Sequence, residues 1–157
     1  MKRIAAIVLS LVCVLGLAAC GKEAPAEAPK VYTTAQPEAM AQAGAFSEEL
    51  EALDSDVAFA LYKLADAGLS QEDLTEAAVL RSSGATCEEA AVLVLADEAK
   101  AETAKAALEA YVQAQIDANR DYRPGEIPKL ESAQVRSAGS TLLLVVANDM
   151  KAAESVL

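Results

Sequence analysis

Six residues, Thr141-Leu142-Leu143-Leu144-Val145-Val146, constrain this chain more than any other stretch. A run with no polar break beyond its first threonine is too short for a globular helix and leaves no face for water, so it reads as a strand buried on both faces. Just before it, Ala133, Val135 and Ser137 alternate with Gln134 and Arg136, and Ala138-Gly139-Ser140 supplies a turn. The pair predicts a β-hairpin.

A second apolar run, Val92-Leu93-Val94-Leu95, ends at Ala96-Asp97. The preceding Thr86-Cys87-Glu88-Glu89 matches a capping box and would suit one long helix through this region, but the compact run followed by a fresh cap at Asp97 favours a strand and then a helix. Residues 76–82 then form an earlier strand, with Ser83-Gly84-Ala85 turning the chain back.

Residues 98–119 read as an amphipathic helix, with Ala101, Ala104, Leu108, Tyr111, Val112 and Ile116 on one face and Glu98, Glu102, Lys105 and Glu109 on the rest. Upstream, Phe46, Leu50, Leu53, Val57, Leu61 and Leu64 recur in steps of four and three, predicting a helix from a cap at Ser47 to a stop at Gly68. Ser70-Gln71-Glu72-Asp73 resembles a further capped turn. Arg123-Pro124-Gly125-Glu126-Ile127-Pro128 predicts a rigid loop, and Asn148 caps a short final helix through Met150, Ala153 and Val156. The expected class is α+β: a small two-layer domain over residues 46–157, in the order helix, two strands, helix, two strands, helix. Its antiparallel sheet of about four strands is covered by helices.

The other end of the chain concerns location. Met1-Lys2-Arg3 is followed by an uncharged apolar run over residues 4–19, which rises only about 24 Å as a helix against a hydrocarbon core of roughly 30 Å. It reads as a removable signal peptide covering residues 1–19. Leu17-Ala18-Ala19-Cys20 resembles the lipobox of bacterial lipoproteins. The thiolate of Cys20 is the nucleophile that takes a diacylglyceryl group as a thioether, while Leu17 and the small Ala18 and Ala19 present the bond to a signal peptidase. The expected mature protein is held by palmitate-type acyl chains on the extracytoplasmic face of a bacterial membrane, at the cell surface or in a periplasm. Residues 20–45, rich in Ala, Pro and Glu, read as a disordered linker that could reach roughly 75 Å.

Charge limits the partners. Losing residues 1–19 removes Lys2 and Arg3 and no acid, which takes the formal charge from −11 to −13. Such a surface repels phosphate backbones and anionic headgroups, so nucleic acid is not expected as a partner. The chain contains no histidine, which removes the usual Ser-His-Asp and Cys-His nucleophile systems and the usual zinc sites. Asp54-Ser55-Asp56 is only a fragment of a calcium loop. No cofactor, no metal and no catalytic residue is expected. Cys87, the one cysteine left after Cys13 and Cys20, reads as a small buried side chain.

Residues from about 56 to 157 resemble a family of bacterial lipoproteins known as domain of unknown function 4358. The resemblance rests on Glu88-Glu89-Ala90-Ala91-Val92 entering a strand, on the long acidic helix ending in Tyr122-Arg123-Pro124, and on residues 135–148 with their central glycine. It implies an envelope lipoprotein with an α+β domain and brings no catalytic residues with it. Tyr122, Arg123 and Glu126 form the candidate recognition loop, an aromatic and a charge fork on a proline-stiffened segment. The expected role is a non-catalytic interaction module that contacts an envelope protein or a wall component. The alternatives are a small-ligand-binding lipoprotein serving a transporter and a hydrolase with an unconventional Ser-Lys site.

Overall fold

The computed structural model describes residues 31–157. The signal peptide expected over residues 1–19 and the lipidation site at Cys20 lie outside them, as does the part of the linker up to residue 30. Five strands form one antiparallel sheet: β1 (Glu51–Leu53), β2 (Leu74–Arg81), β3 (Glu89–Leu95), β4 (Gln134–Ala138) and β5 (Thr141–Val146), in the order β1-β2-β3-β5-β4. The helices are α1 (Gln36–Gln42), α2 (Ser55–Leu61), α3 (Glu98–Asn119), α4 (Ile127–Glu131) and α5 (Met150–Glu154).

The two apolar runs lie side by side at the centre, β3 against β5 from Glu89↔Val146 to Val94↔Thr141. Alternation sends Ala91, Leu93, Leu142, Leu144 and Val146 to one face, under Ala101, Ala104, Leu108, Val112 and Ile116 of α3. The other side chains, Ala90, Val92, Leu143 and Val145, meet Met40, Ala45 and Ala153. Both faces are therefore covered. The α+β class and the antiparallel sheet are as expected, with a fifth strand added. The expected two layers become three because strands apolar on both faces need a cover on each.

That cover corrects the linker. Within residues 31–45, which the composition assigns to a disordered tether, α1 forms and buries Met40 and Ala45 completely, and the Tyr32 amide donates to Thr141 Oγ1 at 2.9 Å. One methionine among alanines has no period to detect, yet it is enough to close the second face.

The first predicted helix, from the cap at Ser47 to the stop at Gly68, is also corrected. Glu51–Leu53 instead pairs with β2 (Leu53↔Val79) as an edge strand. Ser47 does not cap a helix; it serves Glu88, and α2 starts only after Asp54. Leucines three and four apart satisfied a helical template, but the free edge of β2 claims the segment first. α2 then ends early, because Lys63 adopts φ +52° and the Lys63 and Leu64 amides fold back to the carbonyls of Ala60 and Phe59. This is a Schellman cap with lysine where glycine is usual.

The β2, β3 and β4–β5 readings hold, as does the span of α3, whose Asp97 accepts from the Lys100 amide at 2.8 Å. Gly139 takes φ +57° between Ala138 and Thr141, the first central position of a two-residue hairpin turn. The predicted rigid loop tightens into a 3-10 turn, Pro124–Glu126, followed by α4, each with proline in its first turn, where the missing N–H costs nothing. The final helix is capped by Asp149 rather than Asn148.

Candidate functional site

Two helices that share the α3 side of the sheet do not close on each other. Between the end of α2, the turn over residues 62–69 and the flank of α3 lies a trough of about 730 Å³, walled by Leu61, Ala67, Ala107, Ala110 and Ala114. Tyr62 and Tyr111 stand at its base, rings edge to face with centroids 5.1 Å apart. Alanine on α3 reads in sequence as filler. In the fold it sets the width of the opening.

The tyrosine hydroxyls point away from the trough. Tyr62 donates to Glu89 Oε1 at 2.5 Å and Tyr111 to Glu89 Oε2 at 2.8 Å. Arg81, opposite Glu89 in the β2–β3 register, places its Nε 3.3 Å from Glu89 Oε2 and 3.2 Å from Tyr111 Oη. Burial of Glu89, only 2% exposed, raises its carboxyl above the usual range, and the tyrosines and Arg81 offset that only in part. Burial, with Glu89 beside it, likewise holds the Tyr111 phenol protonated well above its ordinary range. The trough is thus lined at its base by ring carbon.

Glu88, the preceding residue, is fully buried in a different network. It accepts from the Ser47 amide at 2.7 Å, from Ser47 Oγ at 2.6 Å and from Lys129 Nζ at 2.7 Å. Lys129 also reaches Glu126 Oε1 at 3.1 Å. Partial burial works against the Lys129 ammonium, but its bonds to Glu88 and Glu126 outweigh it and raise the pKa. A serine and a lysine therefore meet one carboxylate. The shared carboxylate ties the segment at Ser47 and the α4 residue Lys129 to the entrance of β3.

The candidate recognition loop divides. Tyr122 is 82% exposed. Arg123, whose guanidinium lies 5.9 Å from the Tyr122 ring centre, spends its other contacts on the fold: Nη1 donates to the Gly84 carbonyl at 2.7 Å and Nε to Asn119 Oδ1 at 2.8 Å. Glu126 accepts from the Cys87 amide at 2.9 Å as well as from Lys129. Two of the three thus clamp the β2–β3 loop, and one faces solvent. Leu17, Ala18, Ala19 and Cys20 lie outside the described residues. Cys87 is half-buried, and burial pushes its thiol up. Among the described residues no group of three or more His, Cys, Asp or Glu could hold a metal ion, and no helix is long and apolar enough to cross a membrane.

Tyr62, Glu89 and Arg81 were not singled out from sequence. The available signal was an ionisable residue opening an otherwise apolar strand, Glu89 before Ala90-Ala91-Val92. Such a residue is buried only with partners.

A family model described as a domain of unknown function, DUF4358, matches residues 60–147, a span that holds Tyr62, Arg81, Glu88, Glu89 and Tyr111 together. No curated protein and no solved structure matches the chain.

Proposed function

The chain belongs to the DUF4358 family, and from that premise we propose that it is a lipid-anchored, extracytoplasmic binding module without catalytic activity. Its domain contacts another envelope component through the trough between α2 and α3. The observation that carries this reading is that the trough is open and its base presents carbon: both tyrosine hydroxyls are spent on Glu89 and Thr103 Oγ1 on the Ala99 carbonyl, while the charged Lys63 and Asp66 stand exposed among its lining. A surface built to bind offers apolar area of this kind. The anchor rests on Leu17-Ala18-Ala19-Cys20.

The volume of about 730 Å³ favours a second reading, because it falls within the range of small-molecule sites. On that reading the module captures an apolar compound for a transporter.

The experiment combines two readouts in the native host. Cells fed a clickable palmitate should label the wild-type protein and leave Cys20→Ser unlabelled and released from the membrane fraction. A photoreactive residue at Ala110 should give a protein adduct on illumination. Label retained on Cys20→Ser removes the anchor, and absence of any adduct removes the binding module.

A further inference from the structure

The two ends of the sheet differ in what is bonded there. At one end the Leu95 amide donates to the Ser140 carbonyl at 2.8 Å, the Ala96 amide to the Asp73 carbonyl at 2.9 Å and the Tyr32 amide to Thr141 Oγ1 at 2.9 Å. At the other end Glu88, Arg123 and Glu126 gather the segment at Ser47, the β2–β3 loop and α4. α3 joins the two: it opens directly after Asp97, and its last residue, Asn119, accepts from Arg123. Its 22 residues set the ends about 33 Å apart.

The described chain starts at the first of these ends. Tyr32 is fixed there by Thr141, and α1, packed through Met40 with Val92, Leu143 and Val145, carries the backbone across the sheet toward Ser47 at the other end. The docking of α1 shortens the tether. From Cys20 to Tyr32 there are twelve residue steps, which span at most about 43 Å whatever their conformation. A chain free as far as Ser47 would have more than twice that reach.

Resting on the reading of Cys20 as the lipid anchor, we infer that the Thr141 end is the surface this domain turns to the bilayer. The β4–β5 turn and the residues around Asp73 and Asp97 face the lipid head groups, and the end that carries Tyr122 and the β2–β3 loop faces away. A tether fixed to one end of a rigid body keeps that end nearer its anchor on average, and this tether is comparable in length to the body itself. α3 then stands upright on the membrane. The trough, which follows α3 from Thr103 to Ala118, runs up the side of the domain and opens neither to lipid nor straight outward, so a partner reaches it from alongside.

The test puts a spin label at either end of α3 in the full lipoprotein, through Glu98→Cys or Asp121→Cys, both exposed positions, each combined with Cys87→Ala. The protein is reconstituted in nanodiscs of phosphatidylcholine doped with a nickel-chelating lipid, a neutral surface that leaves the tether as the ordering influence. Relaxation by head-group nickel falls steeply with distance, so with about 33 Å between the positions the label at 98 should relax at least about twofold faster than the label at 121. Inserting sixteen Gly and Ser residues after Ala28 more than doubles the tether and should draw the two rates together. Equal rates in the protein without the insertion, a faster rate at 121, or a ratio that the insertion leaves unchanged would each overturn the inference. Cys20→Ser, carried through the same preparation, should lose the nickel effect at both positions. If the unsubstituted Cys20 protein shows no nickel effect at either position, the anchor itself falls and the inference with it. An effect that is present and equal at both leaves the anchor standing and removes the orientation.

Discussion

Glu88 and Glu89 are adjacent in the chain, and their buried carboxylates share no partner: Glu88 is held by Ser47 and Lys129, Glu89 by Tyr62, Tyr111 and Arg81. The strand's alternation sends one to each network, so β3 is fastened at its entrance by two independent polar clasps. Removing either carboxylate leaves buried donors without an acceptor. Glu89→Gln keeps the shape but faces two hydroxyl donors with one amide oxygen, and should cost about 1–3 kcal/mol. Glu89→Ala should cost about 3–5 kcal/mol, the range for breaking a buried ionic contact. Urea unfolding of both variants gives the numbers, and a loss under half a kcal/mol for Glu89→Ala would show the clasp to be idle.

The same carboxylate gives stability a pH dependence of unusual sign. Because the folded pKa of Glu89 is raised above its ordinary 4.5, the folded state binds its proton more tightly than the unfolded chain. Its contribution is therefore full below the ordinary value and is lost as pH rises through the folded pKa. Glu48 works the other way. Hydrogen bonds from Ser82 and Thr86 lower its pKa from 4.5, so its contribution is present above that value and is lost as pH falls through the folded one. The stability difference between wild type and Glu89→Gln should widen in favour of wild type as pH falls toward 4.5, while the difference for Glu48→Gln should shrink as pH falls below 4.5. Chemical denaturation across that range separates the two slopes.

Lys63 holds φ +52°, in the left-handed region, to close the cap of α2. A side chain in that region costs about 1–2 kcal/mol, of which glycine returns part through its freer unfolded chain. Lys63→Gly should therefore stabilise the domain by about 0.5–1 kcal/mol and raise its melting temperature by about 2–5 °C. A lower melting temperature would mean that the lysine earns its place through contacts along the trough.

How much of this was readable from sequence follows from how each element is held. α3 and β5 were legible because a single period or an unbroken apolar run determines them: Leu108, Val112 and Ile116 repeat on one face, and residues 142–146 contain nothing but Leu and Val. β1, α1 and α2 were not, since the helices are shorter than two turns, the strand makes only three ladder pairs, and each is held by what it packs on. The trough is least legible of all. It lies on the flank of α3, where Ala110 and Ala114 have no meaning until the short α2 is placed across from them.

α1 supplies a direct test of the corrected tether. Met40 is fully buried against Val92, Leu143 and Val145, so Met40→Ala should cost about 2–5 kcal/mol through lost transfer energy and a cavity. The same substitution in a solvated linker would leave stability unchanged. Thermal melting of the one variant decides between the two states of this segment.

Arg123 and Tyr122 belong to one predicted recognition loop, and their contacts assign them opposite roles. The Arg123 guanidinium ties the Gly84 and Thr86 carbonyls of the β2–β3 loop to Asn119 at the end of α3. Three bonds from a charged donor to otherwise free acceptors predict a loss of about 1–3 kcal/mol in Arg123→Ala, with faster amide exchange confined at first to residues 83–87. Tyr122 contributes only the exposed ring beneath that guanidinium, so Tyr122→Ala should change stability by less than about 0.5 kcal/mol. Its effect should appear instead in partner contact, read as the yield of the adduct formed from Ala110, because the ring is the one member of the predicted loop that faces solvent. A Tyr122→Ala protein that unfolds early, or an Arg123→Ala protein with unaltered exchange over residues 83–87, would reverse the assignment.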